Sequence, residues 1–276
     1  KFILNCFLYA DLSLFFSLLG HSWCYEGHLC DYAPSNWSIL PEAKCGGEQQ
    51  SPINIDTQST TEDESLGAFT FLNFDDKHAI ESITNTGHSV QCNINGSVEV
   101  SGGGLPHDYT VLQFHFHWGS VASDGSEHLL DSKRFPMEMH IVCIRKDLNR
   151  SEALAQSDGL AVLGFFIEVK SRAYYLLLNK YSQVPFSDEI SIDDLLGNVD
   201  RHSYFRYNGS LTTPQCNEAV VWTVFKESIK VNQNLVCVTL RPLHGGARAF
   251  YMRGREGAED FRRGVNEKSR VESHHK

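Results

Sequence analysis

In Gln113-Phe114-His115-Phe116-His117-Trp118 two histidines stand two residues apart. Alternate residues of an extended strand share a face, so Gln113, His115 and His117 point one way. Phe114, Phe116 and Trp118 point the other way, as an apolar interior requires. Two imidazoles so placed can both reach one zinc ion at ~2.0–2.1 Å. A lone His-x-His on a strand is at least as often a pair of structural histidines, so a third ligand has to decide. Met137-Glu138-Met139-His140-Ile141-Val142 offers it: His140 shares a face with Glu138 and Val142, while the methionines and Ile141 face the core. Three neutral imidazoles without a fourth protein ligand leave zinc one open position, the mark of a catalytic rather than a structural site. Gln113 beside His115 and Glu138 beside His140 are placed to take the distal ring N–H and fix each ring.

A third segment, Tyr207-Asn208-Gly209-Ser210-Leu211-Thr212-Thr213-Pro214, reads by itself as an ordinary turn. Beside a metal-bound nucleophile, a buried threonine has a specific use. By donating its hydroxyl proton to a carboxylate it becomes an acceptor only, and so fixes which way the nucleophile's lone pair points. Glu127, in Gly125-Ser126-Glu127-His128, is a candidate for that carboxylate.

Short alternating runs position these residues: 69–74, 90–94, 98–100, 112–118, 137–144, 161–169 and 219–225, punctuated by Gly, Asn, Asp and Ser. Helical spacing is sparse and short, over 151–156, 174–181 and 192–196. The expected fold is α+β: a large twisted, mostly antiparallel sheet with short peripheral helices, in a single domain over residues 21–252. The charged stretch 253–276 has no periodicity and is expected to be a disordered tail.

A formal net charge of −10 offers no basic surface for nucleic acid. Residues 1–20 are apolar, broken mainly by Asn5 and Asp11, and read as a signal peptide-like segment. Asn36-Trp37-Ser38, Asn95-Gly96-Ser97 and Asn149-Arg150-Ser151 are acceptors for N-glycans, which agrees with export. Asn208-Gly209-Ser210 also fits, and is expected to stay unmodified because of its place in the Thr212 loop. Of the eight cysteines, Cys6 lies in the leader, and Cys92, Cys143 and Cys237 sit in apolar runs. Cys24, Cys30, Cys45 and Cys216 sit among turn residues and read as bridge partners.

Taken together, Ser51-Pro52-Ile53-Asn54-Ile55, Gly87-His88, the 113–119 segment, Ser126-Glu127-His128, Glu138-Met139-His140, Leu160-Ala161-Val162-Leu163-Gly164 and the Thr212 loop resemble the alpha-class carbonic anhydrases, in order and spacing. The resemblance covers about Trp23 to Val231, with a remnant at Arg241-Pro242. It implies the reversible hydration of CO2 to bicarbonate and a proton, with zinc on His115, His117 and His140. It implies that Thr212 and Glu127 orient the nucleophile, that Thr213 lies at the substrate position, and that Val142, Val162, Leu211 and Trp222 form the apolar wall for CO2. His88 matches the proton shuttle, with Tyr25 and Asn85 near its water chain. The cysteines resemble the extracellular, often glycolipid-anchored subgroup, which implies bridges Cys24–Cys30 and Cys45–Cys216 in a monomer outside the cell. A glycolipid anchor is not visible in this tail.

Two departures stand out. Between Lys230 and Arg241 the family carries a longer segment, shortened here to Val231–Leu240, and Thr86 replaces an asparagine common beside the shuttle. A non-catalytic carbonic-anhydrase-like extracellular binding domain is the competing reading; such domains lose zinc histidines, and all three are present here.

Overall fold

The structure is a computed structural model that describes residues 23–25, 32–119, 124–169, 178–179, 183–186, 189–231, 240–241 and 272–274. Its strands in chain order begin with β1 (Asn54–Ile55), β2 (Thr61–Glu62), β3 (Phe69–Leu72), β4 (Ile80–Asn85), β5 (Val90–Ile94) and β6 (Glu99–Gly102). The central ones are β7 (Tyr109–Trp118), β8 (Leu129–Leu130), β9 (Met137–Arg145) and β10 (Leu160–Val169). Then come β11 (Leu178–Asn179), β12 (Gln183–Pro185), β13 (Tyr204–Gly209), β14 (Val220–Val231), β15 (Leu240–Arg241) and β16 (Glu272–His274). Among the described residues helix is confined to a 3-10 turn at Pro34–Ile39 and two short α-helices, α1 (Arg150–Ala153) and α2 (Ile192–Leu196). α1 and α2 start with capping boxes, Asn149 with Glu152 and Ser191 with Asp194, which satisfy the first free backbone N–H groups.

Among the described residues twelve strands form one sheet, in the order β12-β4-β5-β7-β9-β10-β14-β13-β16-β2, with β3 and β6 paired beside β7. Neighbours are mostly antiparallel; β10 with β14 and β16 with β2 are parallel. Alternation sorts the side chains. Met137, Met139, Ile141 and Cys143 of β9 enter one apolar cluster with Phe114, Leu163 and Phe165. The opposite parity belongs to a second cluster, with Val162, Phe166, Phe205 and Trp222, against which Val142 packs.

A register irregularity at Val111/Gln113 decides which way β7 presents its histidines. Before it, Tyr109 and Val111 are buried in the first cluster; after it, Phe114 and Trp118 are, with Phe116 packed against them. The extra residue switches parity, so Gln113, His115 and His117 take the other face.

The fold thus has the expected class, with particular differences. β7 begins at Tyr109 rather than 112, and β4 and β13 were not among the expected runs. Residues 174–181 were expected to be helical; of these, Leu178–Asn179 form a ladder with Leu240–Arg241, and the rest lie outside the described residues. A short apolar run does not distinguish helix from strand by spacing alone, and here backbone pairing decides. Within the tail expected to be disordered, Glu272–His274 pairs with Tyr204–Arg206. The open side of β13 accepts an added strand through its backbone groups, without asking for a side-chain pattern. The leader-like residues 1–20, Cys30, Cys237 and the remainder of the 253–276 stretch lie outside the described residues.

Candidate metal centre

Two paired strands place the three histidines. His115 on β7 stands directly opposite His140 on β9, and His117 stands opposite Glu138. Ring centroids are 4.9 Å apart for His115–His117, 5.3 Å for His115–His140 and 4.5 Å for His117–His140. One ring nitrogen from each lies within 4.8 Å of the others, so all three can address a single ion.

Each ring is oriented from behind. Gln113 Oε1 shares a hydrogen bond with His115 Nδ1 at 2.9 Å, and Glu138 Oε1 with His140 Nε2 at 2.7 Å. Those bonds leave Nε2 of His115 and Nδ1 of His140 for an ion. Burial pushes the His115 imidazole down to about 3, and the neighbouring His140 adds to it. Burial also holds His117 and His140 below the ordinary imidazole value, against the pull of Glu138. All three are therefore neutral donors at pH 7. His117 Nε2 is buried and has no hydrogen-bond partner among the described residues. A buried ring nitrogen without a partner is costly, and a metal ion would satisfy it. The donor set, its neutrality and this orphaned atom fit zinc.

Glu138 is fully buried. Burial alone would raise its carboxyl, but His128 and His140 overcome that and hold it well below the usual range. It shares hydrogen bonds with His140 and with His128 Nδ1 (2.6 Å), and accepts from the backbone N–H of Glu127 and His128, both at 2.8 Å. The chain of contacts continues from His128 Nε2 to Tyr207 Oη at 2.6 Å. Tyr207 donates to Ser51 Oγ at 2.9 Å, and Ser51 Oγ accepts from Ser210 N at 3.1 Å. A Cβ on Gly209 would run into Ser51 Oγ, so this close approach requires glycine. The route connects the back of His140 to the loop bearing Thr212. His128, Tyr207, Ser51 and Ser210 all stood inside motifs read from the sequence, but nothing local marked them as partners.

The Thr212 loop is fixed on its other flank by a disulfide between Cys45 and Cys216, whose sequence separation is 171. Gln215 (φ 71°) and Cys216 (φ 51°) both take the left-handed conformation that non-glycine residues avoid. Lys44 N donates to Gln215 O at 2.8 Å and Cys216 N to Thr213 O at 2.9 Å, which helps hold them there. Cys24 is also disulfide-bonded, and the expected partner Cys30 lies outside the described residues. Cys92 and Cys143 are free and buried, as their apolar runs implied.

The four residues expected to form an apolar wall lie together: Val162 and Trp222 are buried in one cluster, with Val142 and Leu211 packed against it. Trp222 lies 4.9 Å from the His140 ring and donates its indole N–H to Ser210 O at 3.0 Å. One expected contact is not formed. Thr212 is buried, but no hydrogen bond joins it to Glu127; Glu127 Oε1 lies 3.3 Å from His117 Nδ1 and Oε2 3.9 Å from His140 Nδ1.

His88 occupies a turn tied to β7 by Ser89 Oγ donating to Phe116 O at 2.7 Å. Thr86 Oγ1 accepts from His88 N (3.3 Å) and Ser89 N (2.9 Å) and donates to Ser89 O (3.1 Å), so its hydroxyl is spent on the turn. Asn85 Oδ1 accepts from Gly87 N at 2.9 Å in the same turn. The His88 ring stacks on Trp23, centroids 3.8 Å apart and planes 13° apart. Trp23 in turn packs on Tyr25 and Trp37 at 5.4 and 5.2 Å. No local signal in the sequence forecast that stack.

Three imidazoles on a strand pair, with a buried carboxylate behind them and apolar side chains beside them, form a site that could hold one metal ion. The family model of the eukaryotic-type carbonic anhydrases matches residues 32–253. The chain belongs to that family and is an enzyme of its class, a lyase whose family reaction is the hydration of carbon dioxide and whose members are typically zinc-dependent. It is 38% identical over 228 residues to carbonic anhydrase 4 of Rattus norvegicus, covering 77% of this chain and 72% of the relative. Carbonic anhydrase 15 of Mus musculus is 37% identical over 231 residues, covering 76% and 70%, and carbonic anhydrase 7 of the same organism is 39% identical over 228 residues, covering 77% and 83%.

Proposed function

We propose that this chain hydrates CO2 reversibly to bicarbonate and a proton, using zinc held by His115, His117 and His140. The observation that carries the reading is the convergence of three neutral imidazoles whose nitrogens lie within 4.8 Å of one another, one of them buried without a partner. Bound there, zinc supplies a water acidified toward neutral pH, a property for which carbonic anhydrase is itself the reference case.

The chain's own residues do the rest. Gln113 and Glu138 hold the ligand rings. Val142, Val162, Leu211 and Trp222 present an apolar wall against which CO2 sits without competing water. Thr212, with Glu127 beside the ligand cluster, orients the attacking oxygen, and Thr213 meets the product's oxygens; these two roles rest on the family pattern. His88 takes the released proton to solvent, a task that suits a side chain able to take up and release a proton near neutral pH. The Cys45–Cys216 bridge, the bonded Cys24 and the apolar residues 1–20 support an extracellular setting, where disulfides persist.

A CO2-hydration assay with and without an aromatic sulfonamide tests the reading. Hydration suppressed by the sulfonamide is expected; a folded, zinc-loaded chain that does not hydrate CO2 would overturn it.

A further inference from the structure

The four Asn-x-Ser sequences differ in what the folded chain does with the asparagine. Asn95 is half-buried: Nδ2 donates to His78 O at 3.2 Å, and Oδ1 accepts from the Ser97 backbone (3.2 Å) and hydroxyl. Asn208 is exposed, but its serine is not: Ser210 is fully buried, donates to Leu211 O and accepts from Ser51 N, both at 2.9 Å. That sequence is part of the buried route to the Thr212 loop. Asn36 and Ser38 are exposed around the buried Trp37.

Asn149 differs from Asn95 and Asn208. It is exposed, and so are Arg150 and Ser151. Its Oδ1 is fully engaged, accepting from Ser151 N (3.0 Å), Ser151 Oγ (2.7 Å) and Glu152 N (3.1 Å), while Glu152 Oε2 accepts from its backbone N–H at 2.8 Å. Its Nδ2 makes no hydrogen bond among the described residues. The carboxamide thus divides its duties: the oxygen caps α1 and the nitrogen faces solvent. An N-linked sugar replaces one hydrogen of the nitrogen and leaves the oxygen as an acceptor, so the cap and the glycan are compatible at this residue. Between His140 and Arg145, β9 extends for ~16 Å at the usual rise of a strand. A glycan on Asn149, beyond that end, stands clear of the metal centre.

We propose that Asn149 is an N-glycosylation site whose side-chain oxygen continues to cap α1 after modification. The co-reactant is a lipid-pyrophosphate-linked oligosaccharide. Asn149 Nδ2 attacks the anomeric carbon, a C–N bond forms, the C–O bond to phosphate breaks, the lipid pyrophosphate leaves and Nδ2 gives up one proton. No oxidant or reductant is involved.

The proposal rests on the extracellular reading, and the test separates the two. The full chain is expressed in a eukaryotic secretory cell behind a heterologous leader, and the Asn149 peptide is mapped before and after treatment with a peptide amidase that converts glycosylated Asn to Asp. Most secreted chains are expected to carry an amidase-sensitive glycan on that peptide. Ser151→Ala and Asn149→Asp should both lose it completely, with CO2 hydration unchanged. Asn149→Asp should also keep the wild-type melting midpoint, because aspartate supplies the same cap acceptor. An unmodified Asn149 peptide in secreted wild-type chain, or a glycan persisting in Ser151→Ala, would overturn the site. Retention in the cytosol of a chain that starts with its own residues 1–20 would count against the extracellular reading alone.

Discussion

His115, His117 and His140 stand on two adjacent strands, whereas the ring of His88 rests on Trp23, a residue far away in the chain. These three histidines inherit their places from backbone ladders on both sides: β7 is paired with β5 and β9, and β9 with β7 and β10. Their rings are then fixed by Gln113 and Glu138. At the rim, position depends on side chains from separate segments: Trp23 on Tyr25 and Trp37, and Cys45 on Cys216. A centre built on ladders should fail completely when a ligand is lost and only in part when a partner behind a ring is lost. A rim built on single contacts should yield by degrees.

The largest effect belongs to the centre. His117→Ala leaves two imidazoles, which do not hold catalytic zinc at comparable affinity. Metal content and CO2 hydration should both fall to background while circular dichroism still reports a folded sheet. Stoichiometric zinc in the purified variant would break the contrast at its strongest point.

One step back from the ligands, Glu138→Gln removes the charge that His128 and His140 face. Outer partners of metal-bound histidines typically contribute about 10–100-fold in metal affinity. Zinc competition against a chelator should show a loss in that range, and an unchanged affinity would mean that the ladders alone orient His140.

On the rim side, Cys216→Ser opens a loop of 171 residues. In the chain-entropy account this costs on the order of 5 kcal/mol, partly offset by release of the left-handed backbone at Gln215 and Cys216. A markedly lower denaturant midpoint is expected, together with slower hydration at retained zinc content, since the released loop carries Thr212. Equal loss of zinc would move the bridge from the rim to the centre.

The smallest effect is at His88. In weak buffer His88→Ala should slow turnover, and added small imidazoles should restore much of it, with zinc content unaltered. Trp23→Ala tests the stack in the same assay. Equality of His88→Ala with wild type in weak buffer would make His88 an ordinary turn residue.

The same contrast explains what was legible in the sequence. Ligand spacing is local: His-x-His and Glu-x-His express strand period directly, and Met137, Met139 and Ile141 announce the buried face of β9. Strand ends were less legible. The parity switch at Val111/Gln113 hides Tyr109 and Val111 from a simple alternation, because the bulge, not the pattern, reconciles the two halves of β7. Tyr204–Gly209 did not read as a strand because almost every residue in it is buried, so it shows no alternation. The route through His128, Tyr207, Ser51 and Ser210 joins three segments of the chain, and no window of sequence contains it. Thr212 and Glu127 were expected to act together from their family positions, but Glu127 stands 3.3 Å from His117, a neighbour on β7 that no local pattern indicates.

The most direct test of the central claim is the metal stoichiometry of the purified, folded chain, followed through chelation and reloading while CO2 hydration is measured. The geometry predicts one zinc per chain, activity that disappears with it, and activity that returns in proportion to zinc restored. Full activity in the metal-free chain, or a folded chain that takes up no zinc with all three histidines intact, would contradict it.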